Sequence, residues 1–179
     1  LIETVTASTT QRICEEFCYG DADEWDLEGL EKWLTELTGK TDLPEFTEDT
    51  KFEQLEEDVT AFVQKTFDEK TQKLGEEVMR ELAAQVMLRV IDTRWMAYLQ
   101  EMDYLKTGIG LRGFGQRDPL VEYKTEAYEA FTLLVNTMYE DFLRTILRLE
   151  LVNRPRQNTE AEAFQNAHYS GGEETDGDQ

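Results

Sequence analysis

An all-α fold follows from three features of the 179-residue chain. Only three prolines interrupt it, Pro44, Pro119 and Pro155, which leaves the runs 45–118 and 120–154 free to form long helices. Apolar residues in those runs recur at the spacing of a helix face rather than alternating as in a strand. Glycine gathers where helices would have to stop, and four of the eleven glycines lie between residues 108 and 115.

Residues 2–18 read as a first helix, with Ile2, Val5, Ile13 and Phe17 on one side; the polar centre TASTTQ gives it a weak apolar face. GDADEWD (20–26) is an acidic loop. Asp26 is placed to cap a short second helix in which Leu27, Leu30, Leu34 and Leu37 recur at spacings of three and four, and Gly39 follows as its C-terminal stop. KTDLPEFTED (40–49) is a loop. Thr50 and Glu53 then have the form of a capping box ahead of Phe52, Leu55, Val59, Phe62, Val63 and Phe67. One helix from there to Lys106 would be about 85 Å long at about 1.5 Å per residue, too long for a single globular element. Gly75 is the natural break, giving helices at 50–73 and 76–107.

The second of these carries Val78, Leu82, Val86, Met87, Val90, Trp95, Leu99, Met102 and Leu105 in a broad stripe. After the glycines, Asp118 and Pro119 supply an N-cap and a first helical residue. The last helix runs to about Val152 with Tyr123, Ala127, Tyr128, Phe131, Leu134, Val135, Met138, Phe142, Ile146 and Leu149 facing inward. Trp95 and Tyr128 are expected to be core anchors, and Arg89 and Arg94 to pair with acids on neighbouring elements. Two long helices joined by a short reversal pack as an antiparallel hairpin. The expected organisation is the end of a long helix at 1–18, a small acidic helical module at 19–75, the hairpin at 76–152, and a disordered acidic tail at 153–179.

The formal charge is −21. Residues 1–75 hold 7 basic and 20 acidic side chains, whereas 76–154 hold 10 and 13, so the near-neutral hairpin is the part best able to meet another surface. Such a chain repels phosphate backbones and anionic lipid, so no nucleic-acid partner is expected. No stretch is apolar for long enough to cross a membrane as a helix. The start, LIETVTAST, has neither the basic nor the apolar part of a secretory signal, and its leading Leu is read as belonging to a longer protein.

Little catalytic chemistry is visible. There is no GxxxxGK[ST] phosphate loop. GIGLRGFG (108–115) has dinucleotide-like glycines but follows a helix instead of a strand, and Asp118 puts negative charge where phosphate would sit. With one histidine, His168, in the tail, no nucleophile and base can be paired. Cys14 and Cys18 fall four apart on one half-buried face and read as reduced structural cysteines; a metal site would need two more ligands. No catalytic residue, metal or cofactor is assigned to this chain.

GIGLRGFGQRDP (108–119) has two readings. Gly108, Gly110, Gly113 and Gly115 let the chain reverse, as any helical hairpin requires. A minimal connection needs only about 2–5 residues, however, and this one also carries Ile109, Leu111 and Phe114 with Arg112 and Arg117 beside them. An apolar, basic-edged tip suits contact with unfolded polypeptide or a partner's pocket.

The stretch VMLRVIDTRWMAYLQEMDYLKTGIGLRGFGQRDPLVEYKTEAYEAF (86–131) strongly resembles the helical scaffold of the SecA family, the ATP-driven motors of bacterial protein export, and the likeness extends to about residue 150. DLEGLEKWL (26–34) and LPEF (43–46) are weaker landmarks of that family's helical wing domain, and 1–18 looks like the end of its long scaffold helix. The resemblance implies a motor that pushes preproteins through the SecYEG channel, acting in the cytoplasm and at the inner face of the plasma membrane. ATP and Mg²⁺ would be bound by domains upstream of this chain. The hairpin would be the non-catalytic two-helix finger, with Phe114 at the position where the family places a bulky residue against the moving chain. The family's nucleotide-binding regions and its C-terminal Cys/His-rich zinc motif have no counterpart here. A stand-alone helical adaptor that binds a partner through the same tip is the alternative; a metal or redox protein built on Cys14 and Cys18 is a third reading.

Overall fold

The computed structural model describes residues 1–47, 49–112 and 118–150. Among the described residues it is all-α, with five α-helices, one short 3-10 turn at Ala22–Glu24, and no strand. The expected tail at 153–179 lies outside the described residues.

Helix α1, Ile2–Phe17, forms in spite of its polar centre. Its buried residues are Val5, Thr6, Thr9, Thr10, Ile13 and Cys14, a regular stripe in which threonines serve as small core side chains. Thr10 donates to the Thr6 carbonyl at 2.9 Å and meets the Thr60 hydroxyl at 2.6 Å. Helix α2, Leu27–Thr38, begins with the expected cap, Asp26 accepting from the Gly29 amide at 2.8 Å. It ends at Gly39, whose φ of 72° is the left-handed conformation that favours glycine. Leu30, Trp33, Leu34 and Leu37 are its buried face.

Helix α3, Phe52–Leu74, starts without the capping box. Lys51 is the N-cap and makes no side-chain cap, while the Thr50 hydroxyl is used in the preceding turn, accepting from the Thr47 amide at 3.2 Å. Gly75, at φ 91°, breaks α3 from α4 as expected. Helix α4 spans Glu76–Arg112 and α5 spans Pro119–Arg148, about 55 and 45 Å at about 1.5 Å per residue. Asp118 caps α5 through the Leu120 amide, with Pro119 at its start.

Leu1–Leu149 is one compact unit. A single apolar core joins Val5, Ile13 and Cys14 of α1, Leu30, Leu34 and Leu37 of α2, and Leu55, Val59 and Val63 of α3. The lower parts of the long helices complete it with Met79 and Val86 of α4 and Phe142, Leu143, Ile146 and Leu147 of α5. None of the described residues 91–138 belongs to this core. In this range α4 and α5 add nothing to the shared core, and over their whole length their main packing partner is each other.

Candidate functional site

The upper half of the hairpin is where the sequence places its candidate contact residues. Helix α4 continues past 107 to Arg112, so Gly108, Ile109, Gly110, Leu111 and Arg112 are helical, and the expectation of a turn starting at 108 is corrected. The reason is energetic. A glycine inside a helix costs only about 1 kcal/mol relative to alanine, too little to stop a helix already running for eight turns. Neither Gly108 nor Gly110 has positive φ, and a Cβ added to either would meet nothing within 4 Å. Gly113, Phe114, Gly115 and Arg117 lie outside the described residues.

Around these positions the hairpin leaves much apolar surface open. Tyr104 is 83% exposed and Leu111 73%. Leu120 and Val121, at the start of α5, are exposed as well. A cleft of about 500 Å³ opens between the helices here, lined by Tyr104, Leu105, Gly108, Leu111, Glu126 and Ala130. Lower down, Trp95 stacks at a tilt on Tyr98 (centroids 5.4 Å apart), and Tyr98 meets Phe131 edge-on at 6.1 Å.

Trp95 and Tyr128 are not the core anchors that periodicity predicts: Trp95 is half-exposed and Tyr128 is 74% exposed. Leu99 and Phe131 are half-exposed too. A single partner helix covers only one narrow stripe of its neighbour, and the apolar residues of both helices spread more widely than that. Among the described residues on the upper part of α5, Leu134 alone is buried.

Where the hairpin enters the body, Arg94 pairs with Asp141 of α5, bearing out the expected ion pair across elements. Arg89 has no acid partner among the described residues. One residue from Asp141, Glu140 accepts from Arg12 Nη2 of α1 (2.9 Å), Trp33 Nε1 of α2 (3.1 Å) and Arg144 Nη2 (3.0 Å). This junction of three helices has no periodic signature, and only the structure reveals it.

Both cysteines are free and more deeply placed than a half-buried face implies, Cys14 being wholly buried. Burial first, then the neighbouring Cys18, Glu56 and Glu15, pushes the Cys14 thiol up to about 12, and burial raises Cys18 as well. These are inert thiols, poor as nucleophiles or metal ligands. Among the described residues no three His, Cys, Asp or Glu side chains converge on a point that could hold a metal. The triplet Gly39-Lys40-Thr41 resembles the end of a phosphate loop, but Leu34 stands where its first glycine would be. It also follows the C-terminal end of α2, where the helix dipole repels anions. No described helix is long and apolar enough to cross a membrane.

A family profile, the SecA wing and scaffold domain, matches residues 1–150. The protein translocase subunit SecA of Syntrophomonas wolfei is 35% identical over 161 residues, covering 88% of this chain and 19% of that protein. That of Halothermothrix orenii is 39% identical over 132 residues, covering 74% and 16%. The Carboxydothermus hydrogenoformans subunit is 34% identical over 174 residues, covering 96% and 20%. The chain therefore spans about one fifth of the length of the curated relatives it matches. With a matching profile over the five described helices and relatives of one name along most of its length, the chain belongs to the SecA family.

Proposed function

We propose that this chain is the wing and scaffold part of a protein-translocating motor, and that its hairpin is the arm that meets the translocating polypeptide and the SecYEG channel. The observation that carries this reading is the open apolar surface at the upper end of the hairpin, with Leu111 73% and Tyr104 83% exposed on a paired helical support. Such surface binds extended chains through area and not through directed hydrogen bonds, so contact is weak and tolerant of sequence. Ile109, Leu111 and Phe114 would supply the apolar contact, Arg112 and Arg117 its basic edge, and the glycines 108, 110, 113 and 115 room for a passing chain.

In this reading residues 1–18 end a long scaffold helix, 19–75 form the wing and 76–152 the finger. The wing and finger carry no catalysis. The sequence has no phosphate loop, so ATP and Mg²⁺ would be handled by parts of the protein outside this chain, which acts in the cytoplasm and at the inner membrane face. A photo-crosslinking amino acid at Phe114 of a full-length translocase carrying this segment tests the contact. Adducts with an arrested preprotein are expected from Phe114 and absent from Glu31 of α2; equal labelling from both positions would refute the reading.

A further inference from the structure

The upper hairpin shares no core with the body, so something must set the direction in which it leaves. We propose that Glu140 and Asp141 are the positioning residues for that direction, acting as a two-sided clamp at the point where α5 exits the core. They are consecutive in α5 and so point about 100° apart. Asp141 faces α4, where its Oδ2 takes both Nε and Nη2 of Arg94 at 2.5 Å. Glu140 faces the other way: Oε2 takes Arg12 of α1, and Oε1 takes Trp33 of α2 together with Arg144. One short step of a single helix is thus tied to three others.

The location is what makes the clamp directional. Immediately below it, Phe142, Leu143, Ile146 and Leu147 are in the shared core; above it no described apolar residue of α5 before Tyr139 packs against that core. On α4 the last core neighbour is Val90, one turn below Arg94. Aliphatic contacts are non-directional and tolerate small tilts and slides of one helix on another. Hydrogen-bonded ion pairs tolerate neither, because they fail outside a narrow range of distance and angle. Trp33 strengthens the constraint. The residue is only 7% exposed, and its indole N–H, which must find an acceptor once buried, finds it in Glu140. The clamp holds whatever the end of the hairpin touches, so it stands apart from the translocation reading.

The test is a distance measurement on the 179-residue chain. Spin labels are attached through ketone-bearing amino acids at Glu31 of α2 and Lys106 of α4, leaving both cysteines untouched, and double electron–electron resonance gives the distance distribution. For the unaltered clamp a single narrow distribution is expected. Glu140→Ala with Asp141→Ala should broaden it about twofold or more with helix content retained. Glu140→Gln, which keeps the acceptor for Trp33, should broaden it less than Glu140→Ala. If the double variant loses helix content, Arg12→Met with Arg94→Met releases the same ties from their other ends and should give the broadening. A folded variant of either kind with a distribution as narrow as the parent's overturns the proposal, since a purely stabilising role moves the melting temperature and leaves the width alone.

Discussion

Two phenylalanines three turns apart on α5 should respond very differently to truncation. Phe142 has no exposed surface and lies in the shared core; Phe131, on the upper hairpin, is 44% exposed. Phe142→Ala removes a fully buried ring and leaves a cavity in the shared core, which costs about 3–5 kcal/mol. Phe131→Ala gives up a little over half of a burial worth about 3 kcal/mol and opens onto solvent, with no enclosed cavity to add. Its edge contact with Tyr98 contributes about 0.5–1 kcal/mol more, bringing the loss to about 2.5 kcal/mol. In urea, at a slope of about 2 kcal/mol per molar for a chain of this size, the midpoints fall by about 2 M for Phe142→Ala and about 1 M for Phe131→Ala. Equal shifts, or a larger one for Phe131, would mean that the upper hairpin is packed like the core and would refute the division drawn between them.

Because Gly108 and Gly110 are helical with open space around them, alanine at either should stabilise α4 by up to about 1 kcal/mol in thermal unfolding; a loss of stability would show that the backbone there is not helical. The hydroxyls of Thr6 and Thr9 are buried with no hydrogen-bond partner, so Thr6→Val should raise stability by about 1 kcal/mol in urea titration, and a loss would reveal a hidden partner. Cys14 has an ordinary pKa near 9 and a folded value of about 12. Its contribution is complete below pH 9 and is lost as pH rises toward 12, by at most about 1.4 kcal/mol per pH unit, because only the unfolded thiol ionises there. Cys14→Val should flatten that part of the stability profile, and an unchanged slope would contradict it.

Much of this fold is legible in the sequence because its stops are local chemistry. Asp26, Gly39, Gly75 and Asp118-Pro119 each end or start a helix through the residue's own backbone preference, and each does so in the structure. The failures share another cause. Thr50 and Glu53 fit a capping pattern, but the hydroxyl has a nearer partner in the Thr47 amide. Trp95 and Tyr128 sit on helical stripes, and periodicity says which side of a helix is apolar without saying whether anything covers it. Threonines on α1 read as polar although Thr6, Thr9 and Thr10 are buried. Of the candidate site, the sequence supplies the residues and their place at the end of a hairpin, while the helical state of 108–112 depends on propagation along α4. The clamp at Glu140 and Asp141 was beyond the reach of any pattern, since it joins residues 12, 33, 94 and 140–141 through tertiary packing alone.

The proposed role of the hairpin's end is apolar contact with a moving polypeptide. The decisive experiment is Phe114→Gly in a full-length translocase carrying this segment, following preprotein transport into membrane vesicles alongside ATP turnover. Transport is expected to fall steeply while nucleotide turnover without preprotein is unchanged, and Phe114→Leu is expected to restore most of the transport. Transport by the glycine variant at the unaltered rate would contradict it.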